Sequence, residues 1–304
     1  MAKRVVSGVL LLDKPAGMSS HTALSQAKRL LMSAEFDSKK AGHTGTLDPM
    51  ATGLLPICLG EATKFSQFGL DANKGYKAVI KLGSQTDTGD ATGQVMATAP
   101  ILNITQDELD AVARQFLGQQ KQVPPMYSAL KKDGKKLYEY ARLGIDVERQ
   151  ARPIHIHRLS LNKISDDEIE LVVNCSKGTY VRVLGECVAD ALGTVGHLSV
   201  LQRTLTGGFL LDDAIGLEAL GALGFDERLA RLLPVDAMVS HLPKMHLDTH
   251  EAKRVCMGQR LNVRHKNYDV SNDHQVRLYH DGRFVGLGEL SATGRLQPIR
   301  ILSG

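Results

Sequence analysis

IHIHRLSLNKISDDEIELVVNCSKGTYVRVLGECVADAL, residues 154–192, decides the fold class. Ile154 to Ile164 reads as one strand and Glu168 to Cys175 as a second. A helix begins near Thr179 and runs toward Leu192. Two strands in succession feeding a helix favour α+β over a doubly wound parallel sheet. The flanking segments agree. Val9 to Leu12 reads as a buried strand ending at a proline–glycine turn. Ser19 or Ser20 caps a helix whose apolar stripe is Ala23, Ala27, Leu30 and Leu31. Residues 36–53 read as a loop, because Gly42, Gly45, Pro49 and Gly53 crowd into them. Tyr76, Ala78, Ile80 and Leu82 alternate with Lys77, Val79 and Lys81, as in a strand with one mostly polar face. Thr86 to Asp90 then reads as a turn. Thr105 to Glu108 forms a capping box, and Gly118 stands where that helix should stop.

The chain has 304 residues, and at about 150 residues per domain that length suggests two domains. After Pro243 the pattern changes to short alternating runs, with a hairpin signal at Asp281-Gly282. The expected division is a body of residues 1–245 and a small β-rich domain of residues 246–304. With 43% apolar and 23% charged residues, wholesale disorder is excluded. The net charge is only +4, but it is unevenly spread. Residues 121–158 hold nine Lys/Arg against four Asp/Glu, and residues 250–304 hold nine against five. A slightly acidic body with two basic regions suits a protein that meets a polyanion. For Lys131-Lys132-Asp133-Gly134-Lys135-Lys136, charge alone favours a solvated turn.

Cys58, Cys175, Cys187 and Cys256 form no CxxC pair, so neither a disulfide framework nor a zinc ribbon is expected. Lone thiols suit a reducing cytoplasm. The apolar run Val5–Leu12 is too short for a signal peptide, and no stretch approaches the ~18 apolar residues of a membrane span.

Several motifs lead nowhere. Asp87-Thr88-Gly89 spells the aspartic-protease tripeptide, but that chemistry needs two such carboxylates. His155 and His157 share a strand face without a third ligand nearby. No GK[ST] follows Gly42–Gly45, and no GxGxxG opens a helix, so phosphate-loop and nicotinamide or flavin sites are unsupported. Two candidates remain. Asp48 lies in Gly42-His43-Thr44-Gly45-Thr46-Leu47-Asp48-Pro49, either as an ordinary turn residue or as a carboxylate displayed to a bulky substrate. Arg182 lies at a strand-to-helix junction, either as an ordinary helix residue or as a partner that keeps Asp48 ionised.

Resemblance separates these readings. Gly45 to Leu55 (GTLDPMATGLL) resembles the catalytic motif of the TruB family of tRNA pseudouridine synthases. Four further segments match in order. Asp13 to Ser20 (DKPAGMSS) is similar to the family's D-K-P-x-G-x-T-S, with Ser19 for the usual Thr. Tyr76 to Asp90 resembles the motif carrying the active-site Tyr. Pro125 to Lys131 resembles the thumb-like insertion, here about residues 122–152. Ser176 to Arg182 resembles the Arg-bearing motif. The resemblance is strong over residues 8–210. Over 246–304 it is weaker and points to a PUA-like RNA-binding domain.

The resemblance implies a mixed, largely antiparallel sheet flanked by helices and loops. It implies an isomerase that converts uridine to pseudouridine at position 55, in the T-arm of tRNA, by base flipping. Asp48 takes the place of the nucleophile, Arg182 of its partner, and Tyr76 of the residue against the uracil face. Tyr180 and Leu201 match positions lining the uracil pocket. His43 matches the residue that holds the T-loop after the uridine leaves it. Lys131 and Lys132 belong to the basic thumb. The chemistry admits three acts for the carboxylate: attack at C1′, attack at C6, or removal of the C2′ proton. No electrons enter or leave, so no cofactor and no metal are expected. The expected partner is tRNA, met by a cytoplasmic monomer without protein partners. Two other readings stay open: a non-catalytic RNA-binding or RNA-folding protein, and a guide-RNA-dependent synthase of the same superfamily. Asp48, Tyr76 and Arg182 together speak against the first, and a thumb of the chain's own against the second.

Overall fold

The computed structural model describes residues 3–266 and 273–303. Residues 267–272, within the expected second domain, lie outside the described residues, as does Gly304. The body contains strands β1 (Gly8–Lys14), β2 (Thr52–Leu59), β3 (Lys74–Leu82), β4 (Gly118–Gln122), β5 (Arg152–Lys163), β6 (Glu168–Cys175), β7 (Gly196–Thr206) and β8 (Ile215–Gly216). Its main helices are α1 (Ser20–Leu30), α2 (Gln106–Gln115) and α3 (Val181–Ala191). Among the described residues these strands form one sheet in the order β8-β1-β2-β7-β3-β6-β5-β4. Only β8–β1 and β2–β7 pair in parallel along that path. The sheet is therefore mixed and largely antiparallel, and the fold is α+β.

Local signals account for many boundaries. Ser19 caps α1 by accepting from the Thr22 N–H at 3.1 Å. The Thr105–Glu108 capping box opens α2 in both directions. Helix α3 starts at Val181, two residues later than expected. Its cap residue Tyr180 is fixed by the buried Gln122 side chain, which accepts from the Tyr180 N–H at 2.8 Å and donates to its carbonyl at 3.1 Å.

The loop expected over residues 36–53 contains two short strands. Phe36–Asp37 pairs with Arg4–Val5, and Ala41–His43 pairs with the outer end of β2. Glycine content flagged turns there, but pairing with residues far along the chain decided the conformation.

The second sheet comprises β9 (Lys244–His246), β10 (Leu261–Asn262), β11 (His274–His280), β12 (Arg283–Leu290) and β13 (Arg295–Ile301), beside helix α4 (Thr249–Cys256). Asp281 and Gly282 make the β11–β12 turn with φ of 45° and 72°, as a tight hairpin of primed type requires. The two sheets share an apolar core. Val9, Leu11, Leu54 and Phe65 pack with Leu287 and Phe284, and the Phe65 and Phe284 rings lie 5.3 Å apart. A buried ion pair, Arg277 Nη1 to Asp236 Oδ2 at 2.9 Å, joins the second sheet to the segment leading into it.

Gly53 marks where β2 and β7 approach most tightly. Its φ is +99°, and a Cβ there would lie 2.4 Å from the Arg203 carbonyl oxygen. Gly53→Ala is expected to lower stability by about 2 kcal/mol or more, from left-handed strain plus the clash. Urea unfolding checks this; a loss under about 0.5 kcal/mol, within the range of ordinary surface changes, would contradict it.

Candidate active site

The loop between Gly45 and Gly53 displays Asp48 just before β2, an inner strand of the sheet. Its backbone is braced from the start of the chain. The Ser20 hydroxyl donates to the Leu47 carbonyl at 3.0 Å and accepts from the Leu47 N–H at 2.7 Å. The Gly17 N–H donates to the Pro49 carbonyl at 2.8 Å. Lys14, fully buried, donates to the carbonyls of Pro15 and Met18 at 2.8 and 2.9 Å. Of the two serines, Ser19 thus caps the helix and Ser20 holds the loop.

Asp48 meets Arg182 from the first turn of α3. Arg182 Nε donates to Asp48 Oδ2 at 2.9 Å. Arg182 is only 3% exposed, whereas the Asp48 side chain is 35% exposed. The carboxylate is held on one side and open on the other. The remaining guanidinium nitrogens donate to the carbonyls of Thr88 and, at 2.7 Å, Tyr127. Asp90 Oδ2 stands 3.8 Å from Arg182 Nε. Thr88 and Asp90 belong to the turn after β3, and Tyr127 to the excursion of residues 123–151. That excursion leaves the sheet where Gln122 pairs with Arg152.

Tyr76 and Tyr180 lie within reach of the charges of this pair. Tyr76 is on β3, opposite Arg203 of β7. Burial pushes its phenol above the usual range, the Arg203 charge opposes that, and Asp48 adds to it. Tyr180 is raised by burial too, and its phenol also feels Arg182 and Asp48. Leu201 is buried on β7 opposite Ala78. His43 pairs in the short strand beside β2. Its Nδ1 is buried and has no hydrogen-bond partner among the described residues. Burial, Arg203 and His21 hold the ring below its usual pKa, favouring the neutral form. Lys131 and Lys132 stand outside this cluster, on an exposed hairpin with Lys135 and Lys136. Lys132 Nζ donates to the Glu148 carbonyl at 3.0 Å, so it partly secures the excursion itself.

The sequence reading missed four contributors: Lys14, Asp90, Lys74 and Arg203. Lys14 and Asp90 sit inside motifs singled out above, and a charged residue at the end of a buried strand was the available signal for Lys14. Lys74 Nζ is tied to the carbonyls of Gly69, Leu70 and Ala72. Arg203 looks like any strand residue. Asp87, from the rejected protease tripeptide, accepts from the Gln94 N–H at 2.8 Å and the Tyr127 hydroxyl at 3.2 Å. His155 and His157 stack with ring centroids 4.5 Å apart. Among the described residues no group of three His, Cys, Asp or Glu side chains is placed to hold a metal ion, and no helix is long and apolar enough to cross a membrane.

A carboxylate fixed by a buried guanidinium, with a free face near a partly buried Tyr, can serve as a nucleophile or base toward a planar substrate. The chain is similar to known proteins along nearly its whole length. A family model described as TruB family pseudouridylate synthase (N terminal domain) matches residues 33–181. Another, described as Pseudouridine synthase II TruB, C-terminal, matches residues 243–302. The tRNA pseudouridine synthase B of Psychrobacter cryohalolentis is 50% identical over 98% of this chain and 94% of its own. That of Aromatoleum aromaticum is 52% identical over 99% and 94%. Among solved structures, a chain of a Cbf5-Nop10-Gar1 complex superposes with a TM-score of 0.69 at 24% identity, covering 98% of this chain and 84% of that one. A chain of an H/ACA RNP bound to a substrate RNA containing 2′-deoxyuridine gives 0.70 at 22%, covering 98% and 85%. At such identity these two speak for the fold alone.

Lys14 offers a test of the site's electrostatics. Burial, helped by Arg203 and opposed by Asp48 and Asp13, lowers its pKa to about 8. In the unfolded chain the proton stays on to about 10.5. Between those values the unfolded state binds more protons, so stability gains with rising pH. Lys14→Met lacks this gain. Wild type should therefore improve relative to Lys14→Met by about 2 kcal/mol from pH 7.5 to pH 9.5, measured by guanidinium unfolding. An unchanged or reversed difference would contradict the buried-cation reading.

Proposed function

The chain belongs to the TruB family of pseudouridine synthases, and from that premise we propose that its target is uridine 55 in the T-arm of tRNA and its nucleophile Asp48. The reaction class is isomerisation of uridine to pseudouridine in tRNA. The C1′–N1 bond breaks, the uracil turns, and C1′ rejoins at C5; the C5 hydrogen leaves and N1 gains a proton. No redox cofactor enters. The observation that carries the proposal is the 2.9 Å contact between buried Arg182 and half-exposed Asp48. Arg182 holds the carboxylate aimed, while its open side receives the ribose of a flipped nucleotide. Tyr76 lies against the uracil and stacks on it. Tyr180 and Leu201 wall the base pocket. His43 helps hold the T-loop once the uridine has left it.

Flipping a base from a folded loop costs a few kcal/mol, and contacts in the bound state must offset it. In this reading residues 1–245 carry the chemistry, the thumb of about 122–152 grips the loop through Lys131 and Lys132, and residues 246–304 bind RNA. The chain acts alone on tRNA in the cytoplasm, as a monomer.

Asp48→Asn keeps the side chain's shape but not its charge. Tritium release from RNA labelled at uridine C5 should fall by about 10⁴-fold or more, over ~5.5 kcal/mol in barrier. Affinity for a T-arm stem-loop should change little, because the lost interaction belongs to the reaction path. A folded variant within about tenfold of wild type, ~1.4 kcal/mol in barrier, would defeat the mechanism. Neutralising Lys131 and Lys132 should flatten the dependence of log K on log salt by about 1–2 units. An unchanged slope would leave them as a solvated turn.

A further inference from the structure

Arg203 is 1% exposed, and among the described residues it has no carboxylate partner within ion-pair distance. A permanently charged group in that position needs oxygen acceptors to survive burial. Its acceptors are specific. Nε donates to the Leu54 carbonyl at 2.7 Å, and Nη2 donates to the Gly45 carbonyl at 3.1 Å. Those carbonyls lie at the two ends of the loop that carries Asp48. The guanidinium therefore spans the mouth of the loop as a strut.

The two glycines bounding the loop match this arrangement. A Cβ on Gly45, at φ +133°, would sit 3.3 Å from Arg203 Nη1. A Cβ on Gly53 would meet the Arg203 backbone at 2.4 and 2.9 Å. Both positions leave room for the same arginine, its side chain at one end and its main chain at the other. On its other side, Arg203 is the register partner of Tyr76 across the β7–β3 ladder. Its charge also reaches Lys14, Lys74 and His43, each of which it makes harder to protonate.

We propose that Arg203 is a positioning residue for the isomerisation: it clamps both ends of the Asp48 loop and aligns that loop with the Tyr76 ring. The proposal rests on Asp48 being the reacting group. Reaction geometry is sensitive here, since a misplacement of about 1 Å is worth about 10²-fold in rate. Arg203 is buried at 1% exposure, so its effect is expected on the bound-state step rather than on RNA capture.

Two variants test it. Arg203→Lys keeps the charge but cannot bridge both carbonyls with a planar fork. Arg203→Met fills the space without charge and leaves the Leu54 and Gly45 carbonyls without their donor. Each is compared with wild type and Asp48→Asn in single-turnover tritium release at saturating T-arm RNA, in RNA affinity, and in thermal midpoint. The Tyr76 signal, assigned through Tyr76→Phe in ¹³Cζ-tyrosine-labelled protein, reports alignment directly. The expected result is a rate about 100-fold below wild type, affinity within about threefold, and a displaced Tyr76 resonance in both variants. A merely structural Arg203 would leave that resonance in place in any variant still folded at the assay temperature. Either variant turning over within about threefold of wild type, or losing affinity alone, overturns the proposal. If Asp48→Asn itself stays active, the underlying reading fails instead, whatever Arg203 does.

Discussion

Arg182 has to keep its charge at 3% exposure, and the oxygens that allow it come from three separate segments. Its guanidinium cannot shed its proton at any ordinary pH. Leaving it unpaired in that position would cost several kcal/mol. Asp48, Thr88 and Tyr127 supply the acceptors. They come from the loop before β2, the turn after β3 and the excursion between β4 and β5. One helix turn thus ties together parts of the chain up to 134 residues apart. The same bonds that satisfy the arginine fix the carboxylate, so folding the helix builds the site.

A second layer of buried cations surrounds that pair. Lys14 and Lys74 are both brought to about 8, by burial first and by Arg203 next. Each is held by backbone carbonyls rather than by a carboxylate. Such groups act as braces: they fix the DKP turn, the Gly69–Ala72 turn and the Asp48 loop by their hydrogen bonds. Asp48 itself keeps a solvent-facing side in this framework. Rigid support beneath an accessible carboxylate is what placement of a substrate to within a fraction of an ångström requires.

Local chemistry in the sequence was easy to read. The capping box at Thr105, the hairpin at Asp281-Gly282 and the alternation from Tyr76 to Leu82 each depend on residues a few positions apart. Pairing over long distances is not legible, which is why the sequence of Ala41–His43 shows only a loop. Nor was the shared core: Val9 and Leu11 show only that β1 is buried, not that Leu287 and Phe284 of the second sheet cover it. Asp48 and Arg182 stood out as candidates, but their residues alone left the turn and helix readings open, and ordered motifs tipped the balance. Arg203 and Lys14 escaped because burial of a cation leaves no mark in composition; both count as ordinary charge until the carbonyls around them are seen.

The central claim is that a uridine flipped from the T-loop presents its ribose to Asp48. It is tested most directly by a structure of Asp48→Asn protein bound to a T-arm stem-loop containing an intact uridine 55. The account predicts that this nucleotide lies outside the loop stack, with its uracil on the Tyr76 ring. C1′ should lie within about 3.5 Å of the side chain at position 48, a near-attack distance. A complex in which uridine 55 stays stacked in its loop, or flips into a pocket that Asp48 does not border, would contradict it.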